Sequence, residues 1–201
     1  MRVAVVGVGA VGGYFGGRLA EVGEEVTFIA RGATLAALKE RGLIVESING
    51  DFTISPAAAT DDPGSVGPVD VVLFGVKAWQ VEEAAIAALP LFGTETVALP
   101  LQNGVEAPVT LASVVGEGRT LGGLCKLFVK TAAPARIQHL GVEPSIDFGE
   151  LDGGLSSRVE GLQRAFELAG VTARVPAHIV AVSQRLHPNV LPGVHVDRRD
   201  A

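Results

Sequence analysis

The chain begins MRVAVVGVGAVGGYFGGRLAEVGEEVTFIARG, and no other stretch restricts the fold as tightly. Residues 3–6 form a short valine-rich run suited to a strand buried on both faces of a parallel sheet. The run stops at Gly7-Val8-Gly9-Ala10-Val11-Gly12, a G-x-G-x-x-G match. Each glycine there has a separate role. Gly7 permits the sharp turn, Gly9 lets a pyrophosphate approach the backbone, and Gly12 lets a helix pack close to the strand. The spacing predicts a helix over residues 11–22, ended by Gly23; its amino end, with free N–H groups and a partial positive charge, points at the phosphates. A second apolar run follows over residues 26–30. That order of strand, glycine turn, helix and strand distinguishes a dinucleotide-binding βαβ unit from a turn that only packs backbone on backbone. Gly13, Gly16 and Gly17 exceed what a phosphate turn needs and are read as close packing of the helix on the sheet.

The second run ends in Ala30-Arg31-Gly32. An NAD-selective site carries Asp or Glu here, to accept hydrogen bonds from the ribose hydroxyls. A guanidinium instead pairs with a 2′-phosphate through two parallel hydrogen bonds and stacks on adenine, so the pattern favours NADPH. The competing reading is a solvated arginine at a helix start, a place where the helix dipole disfavours a cation.

Downstream, the pattern predicts a helix over 34–41, a hairpin of 43–47 and 52–54 around Asn49-Gly50-Asp51, a strand over 69–76, a helix over 77–89, a strand over 96–99 and a helix over 105–115. This alternation is that of an α/β protein with a Rossmann-type doubly wound parallel sheet. Strand-like runs at 121–129, 136–139 and 145–148, then a helix over 156–169, are expected to extend the sheet with antiparallel strands. Ligands of such sheets sit beyond the carboxyl ends of the strands. Two apolar runs end abruptly in polar groups there, at Lys77 in VKAWQ and Asn103 in LQNGVEA. Alone, Lys77 reads as a solvated helix-start lysine and Asn103 as a turn residue; their shared placement tilts both toward the cofactor.

Composition bounds the remaining choices. The 201 residues, 48% hydrophobic and 19% charged, suit a folded chain of one domain or one domain plus part of another. A formal charge of −6 argues against a general binder of nucleic acid or membrane surfaces. Arg2 precedes an apolar run, but five glycines from Gly7 to Gly16 make a poor signal-peptide core. No later run is long enough for a membrane span, and a cytoplasmic protein is expected. The single cysteine, Cys125, reads as a buried structural thiol. No metal site is expected. Glu150 and Asp152, followed by Gly153 and Gly154, read as a solvated loop. His139 and His178 are weak candidates for proton donors.

Taken together, GVGAVGGYFGGRLA, VTFIARG, VDVVLFGVKAWQ, LPLQNGVEA, LGGLC and FGELDGG resemble the ketopantoate reductase (2-dehydropantoate 2-reductase) family over roughly residues 1–175. The resemblance implies reduction of ketopantoate to pantoate by NADPH on the route to pantothenate, or reduction of a similar branched 2-oxo acid. It implies that the turn from Gly7 through Val8, Gly9, Ala10 and Val11 to Gly12 lines the pyrophosphate, Arg31 the 2′-phosphate, Lys77 the cofactor and Asn103 the cofactor–substrate junction. The family continues with a long helix carrying a catalytic lysine, then an all-helical substrate domain. Here PAHIVA at 176–181 is in apparent register, but VSQRLHPNVLPGVHVDRRDA follows, and no lysine occurs after Lys130. Pro188 and Pro192 interrupt any long helix. Residues 1–175 are therefore read as an NADP-binding domain and 176–201 as a divergent tail or the start of a truncated second domain, the helical domain being absent. Lys77, Lys126 and Lys130 carry no motif for the family's catalytic lysine. Two functions follow as expectations: a 2-oxo acid reductase, or a catalytically incomplete NADP-binding module. Self-association through the uncovered surface is also expected, in keeping with a mean hydropathy of +0.39.

Overall fold

The first strand, β1 (Arg2–Val6), is buried on both faces, with Val3 and Val5 in one apolar cluster and Ala4 and Val6 in another. A computed structural model describes residues 1–179 of the chain; the expectations placed on residues 180–201, Pro188 and Pro192 included, lie outside the described residues. After β1 come α1 (Ala10–Glu21), β2 (Glu25–Ile29), α2 (Gly32–Arg41), the hairpin strands β3 (Leu43–Ser47) and β4 (Phe52–Ile54), β5 (Ala58–Thr60), β6 (Val69–Phe74), α3 (Val81–Ala87), β7 (Phe92–Pro100) and α4 (Glu106–Val115). The second half holds β8 (Leu121–Lys126), β9 (Val129–Ala133), β10 (Arg136–His139), β11 (Ser145–Glu150), α5 (Ser157–Leu168) and β12 (Thr172–Arg174).

Five strands form a parallel sheet in the order β5-β2-β1-β6-β7. The order runs outward from β1 to β5 on one side and from β6 to β7 on the other, so the topological switch lies between the carboxyl ends of β1 and β6, where open α/β sheets bind ligands. The antiparallel strands are present, but they do not widen this sheet. One group forms a second sheet, β4-β3-β10-β9, and the other a third, β12-β11-β8. A single parallel bridge, Ala98 to Thr120, ties β7 to the start of the third sheet.

Helix α1 is gripped from two sides. A methyl group at Gly16 would lie 2.6 Å from Val5 Cγ2 of the parallel sheet, whereas one at Gly13 would lie 2.3 Å from Ile137 Cδ1 of β10 and one at Gly17 2.9 Å from Leu43 Cδ2 of β3. The surplus glycines thus serve close packing, on two sheets rather than one.

Two expected elements are cut short. The helix over 77–89 starts as a 3-10 turn, Ala78–Gln80, becomes α-helical only over Val81–Ala87 and ends in a second 3-10 turn holding Pro90, which has no N–H to continue the ladder. The strand over 121–129 breaks after Lys126, because β8 pairs with β11 and β9 with β10. At the other end of the chain, Ser156 caps α5 by accepting from Val159 N–H, and Ile179 is buried against Gly122 of β8.

Candidate nucleotide-binding site

A cleft of about 780 Å³ opens along the carboxyl ends of β1, β2, β6 and β7, within the range usual for small-molecule sites. Its floor is made by backbone. Gly7, at φ 94°, is in a left-handed conformation that glycine adopts without strain; a methyl group there would lie 2.6 Å from Val76 Cγ1. A methyl at Gly12 would lie 2.2 Å from the Gly7 carbonyl oxygen, and one at Gly75 2.7 Å from Gly12 Cα. The loops after β1 and β6 therefore meet α1 at three glycines, and Gly75 N–H donates to the Val6 carbonyl at 2.8 Å.

Gly9 differs from these three. Its backbone is extended, φ −83° and ψ −165°, and a methyl built there would find, among the described residues, no atom nearer than 3.9 Å. No packing demand explains a glycine at this point. The space is open toward the amino end of α1, which has no side-chain cap and no acidic residue in its first turn. Uncapped N–H groups at a helix start favour an anion, so the residues present fit the pyrophosphate of a dinucleotide.

Val8, Gly9, Ala10 and Val11 line this cleft together with Arg31, Lys77, Gly75 and Gln102. Arg31 caps the amino end of α2 by position alone, with no side-chain hydrogen bond to the helix, and its exposed guanidinium lies 3.9 Å from the carboxylate of Glu83 on α3. Lys77 follows β6; its N–H donates to Gln80 Oε1 at 3.3 Å, and Gln80 N–H donates back to the Lys77 carbonyl at 2.9 Å. This closed turn leaves the lysine side chain at the cleft. From the facing wall, Val129, Lys130 and Thr131 of β9 contribute, bringing the second sheet into the site.

Asn103 stands next to the cleft without lining it. Its Oδ1 accepts the Cys125 N–H at 2.8 Å, which ties the turn after β7 to β8. Its neighbour Gln102 lies inside: Nε2 donates to the carbonyls of Phe74 at 2.9 Å and Val76 at 2.7 Å, while the buried Oε1 has no partner among the described residues. Gln102 thereby fixes the turn that carries Gly75 and Lys77. Sequence reasoning passed over it, and over Gly75, because neither residue's partners lie nearby in the chain. A glycine between a buried strand and Lys77 was the available signal for Gly75.

The two histidines are elsewhere. His139 is buried beside the Tyr14 ring at 4.8 Å, with Nε2 bonded to the Val142 carbonyl at 2.7 Å and Nδ1 to Ser47 Oγ at 2.8 Å. Since a carbonyl only accepts, Nε2 carries the proton and Nδ1 accepts from the serine in the neutral ring. His178 is exposed and, like His139, lines no part of the cleft. Cys125 is buried, and that burial pushes its thiol pKa upward, away from reactivity.

The solvated-loop expectation holds for Asp152, whose Oδ1 caps Gly154 N–H, but not for Glu150. Glu150 ends β11 and is 9% exposed. It accepts from Ser156 Oγ at 2.6 Å and from Arg158 Nε at 2.7 Å and Nη2 at 2.8 Å. Burial alone would raise its pKa, but the hydrogen bonds from Arg158 and Ser156 outweigh burial and hold the carboxyl below the usual range. The pair locks β11 to α5 and takes no part in the cleft.

Among the described residues, no helix is long and apolar enough to cross a membrane. An uncharacterized oxidoreductase of Bacillus subtilis is 34% identical over 177 residues, covering 87% of this chain and 56% of its own. A 2-dehydropantoate 2-reductase of Nostoc is 29% identical, covering 85% and 54%. The crystal structure of 2-dehydropantoate 2-reductase from Geobacter metallireducens superposes with a TM-score of 0.83 at 36% identity, over 88% of this chain and 58% of that one. The chain thus spans about half the length of the curated relatives it matches. A family profile described as ketopantoate reductase PanE/ApbA matches residues 3–153. With that match over most of its length, on a parallel sheet whose switch point carries the glycine turn, this chain belongs to the ketopantoate reductase family.

Proposed function

We propose that this cleft serves an NADPH-dependent reduction of 2-dehydropantoate to pantoate, or of a similar branched 2-oxo acid, in a cytoplasmic setting. Oxidoreductase chemistry with a nicotinamide cofactor comes with the family. The observation that carries the reading is the open space at Gly9, which no contact among the described residues explains, in one cleft with Arg31 and Lys77.

When bound, NADPH would supply the hydride that reduces the carbonyl carbon. The chain's own residues bind and orient. Backbone N–H groups after Gly9 hold the pyrophosphate, and Arg31 pairs with the 2′-phosphate. Lys77 after β6 and Lys130 of β9 both line the cleft and add positive charge for a substrate or cofactor anion. Gln102 keeps the Gly75–Lys77 turn in place. A proton must also reach the substrate oxygen. Among the described residues of the cleft, the ammonium groups are those of Lys77 and Lys130, and neither histidine lies there.

A second reading, a nucleotide-binding module without turnover of its own, draws on the same cleft, in which, among the described residues, neither histidine lies. Fluorescence titration of the 201-residue chain with NADPH, followed by NADPH oxidation with 2-dehydropantoate, separates the two. The reductase reading requires saturable NADPH binding and NADPH oxidation that depends on 2-dehydropantoate, and binding without turnover would overturn it. Family-like turnover would overturn the second reading, and failure to bind would overturn both. Self-association is a further proposal, resting on the exposed Trp79, Val109 and Phe128.

A further inference from the structure

The sequence lacks an acid at the end of β2, yet the structure brings one to that place from elsewhere. Glu83, on the first turn of α3, sets its carboxylate 3.9 Å from the Arg31 guanidinium, and both side chains line the nucleotide cleft. We propose that Glu83 is a specificity-determining residue, which competes with the 2′-phosphate of the cofactor for Arg31 and so lowers the preference for NADPH over NADH. The inference rests on the reading that Arg31 receives the 2′-phosphate.

Both partners are largely in water, with side chains 73% and 80% exposed. Such a pair is weak and screened by salt, so a phosphate that offers a bidentate, more highly charged partner displaces the carboxylate. The displaced carboxylate remains on α3 beside the incoming phosphate, a like-charge neighbour that NADH does not meet. NADPH therefore binds against two costs, loss of the Arg31–Glu83 pair and repulsion, and NADH against neither. Replacing Glu83 by Gln keeps the length of the side chain and a carbonyl oxygen while removing its charge. Asp61 also lines the cleft and is unchanged by the substitution, so any gain belongs to Glu83.

The test measures NADPH and NADH dissociation constants by fluorescence titration at low salt for the wild-type chain, Glu83→Gln, Arg31→Ala and the double variant. Arg31→Ala should weaken NADPH by about 10- to 150-fold and change NADH by less than about 2-fold. Glu83→Gln should tighten NADPH by about 1.4- to 5-fold, with NADH unchanged and with the gain shrinking at about 1 M salt. In the Arg31→Ala background the gain should fall by at least half, because the competition needs the guanidinium. If Arg31→Ala discriminates between the cofactors while Glu83→Gln leaves NADPH unchanged or weakens it, the competition is wrong and the cofactor reading stands. An undiminished gain in the double variant also overturns it. Equal weakening of both cofactors by Arg31→Ala, or no saturable binding of either, overturns the cofactor reading and this inference together.

Discussion

Replacing Gly9 by Ala should separate nucleotide binding from folding, because the structure assigns different causes to the glycines of one turn. At Gly9 the backbone is extended and an added methyl meets no atom of the described residues nearer than 3.9 Å. Alanine there reduces the freedom of the unfolded chain, a gain of about 0.4–1 kcal/mol. It is also a poorer N-cap than glycine, a loss of similar size. The two nearly offset, so the melting temperature of the nucleotide-free chain should move by no more than about 2–4 °C. At Gly12 the added methyl would sit 2.2 Å from the Gly7 carbonyl oxygen and 3.2 Å from Gly75 Cα. Both neighbours are backbone and cannot rotate aside. That overpacking should cost about 1–3 kcal/mol or more, or roughly 2–12 °C. Binding should show the opposite emphasis for Gly9→Ala: the methyl occupies the approach to the helix start, and NADPH and NADH should both weaken by at least about 10-fold, or about 1.4 kcal/mol. Thermal melts without nucleotide and fluorescence titrations with each cofactor give both quantities. A Gly9→Ala chain that loses more than about 1.5 kcal/mol of stability, or that binds both cofactors as before, would refute the assignment of this glycine to a ligand.

Two further substitutions probe residues outside the phosphate turn. Glu150→Gln should cost about 1.5–3 kcal/mol at neutral pH, because Arg158 loses its charged acceptor. The wild-type carboxyl is held below its ordinary range, so its contribution is complete above the unfolded value near 4.3 and fades as pH falls through the lower folded value; urea melts from about pH 7 to about pH 3 should show the two chains converging in acid. Asn103→Ala should cost about 0.5–1.5 kcal/mol and speed hydrogen exchange at the Cys125 amide, whereas Asn103→Asp keeps the acceptor oxygen and should preserve that protection. Equal exchange in the two variants would show that the tether to β8 does not depend on Oδ1.

What the sequence disclosed was governed by short-range constraint. A glycine turn, a helix beginning near Ser156 and a hairpin around Gly50 are fixed by neighbours in the chain, and they occur where the pattern placed them. What it withheld depended on partners distant in the chain. Nothing near Gln102 announces the carbonyls of Phe74 and Val76, and nothing near Glu83 announces Arg31. The antiparallel runs were visible as strands, but their sheets were not, because β10 joins β3 in parallel and only the folded register brings the two together. One piece of that long-range arrangement was nonetheless written locally. Gly12 and Gly16 form one i, i+4 stripe along α1, and Gly13 and Gly17 form another, turned about 100° around the axis. A helix needs one small-residue stripe to lie close on a sheet, and the second is useful only if something else approaches as closely from another side. Val5 of the parallel sheet contacts the first stripe, and Ile137 and Leu43 of the second sheet contact the other. The doubled stripe therefore called for a second covering layer over α1, and that layer carries β9, whose Lys130 and Thr131 form the facing wall of the nucleotide cleft.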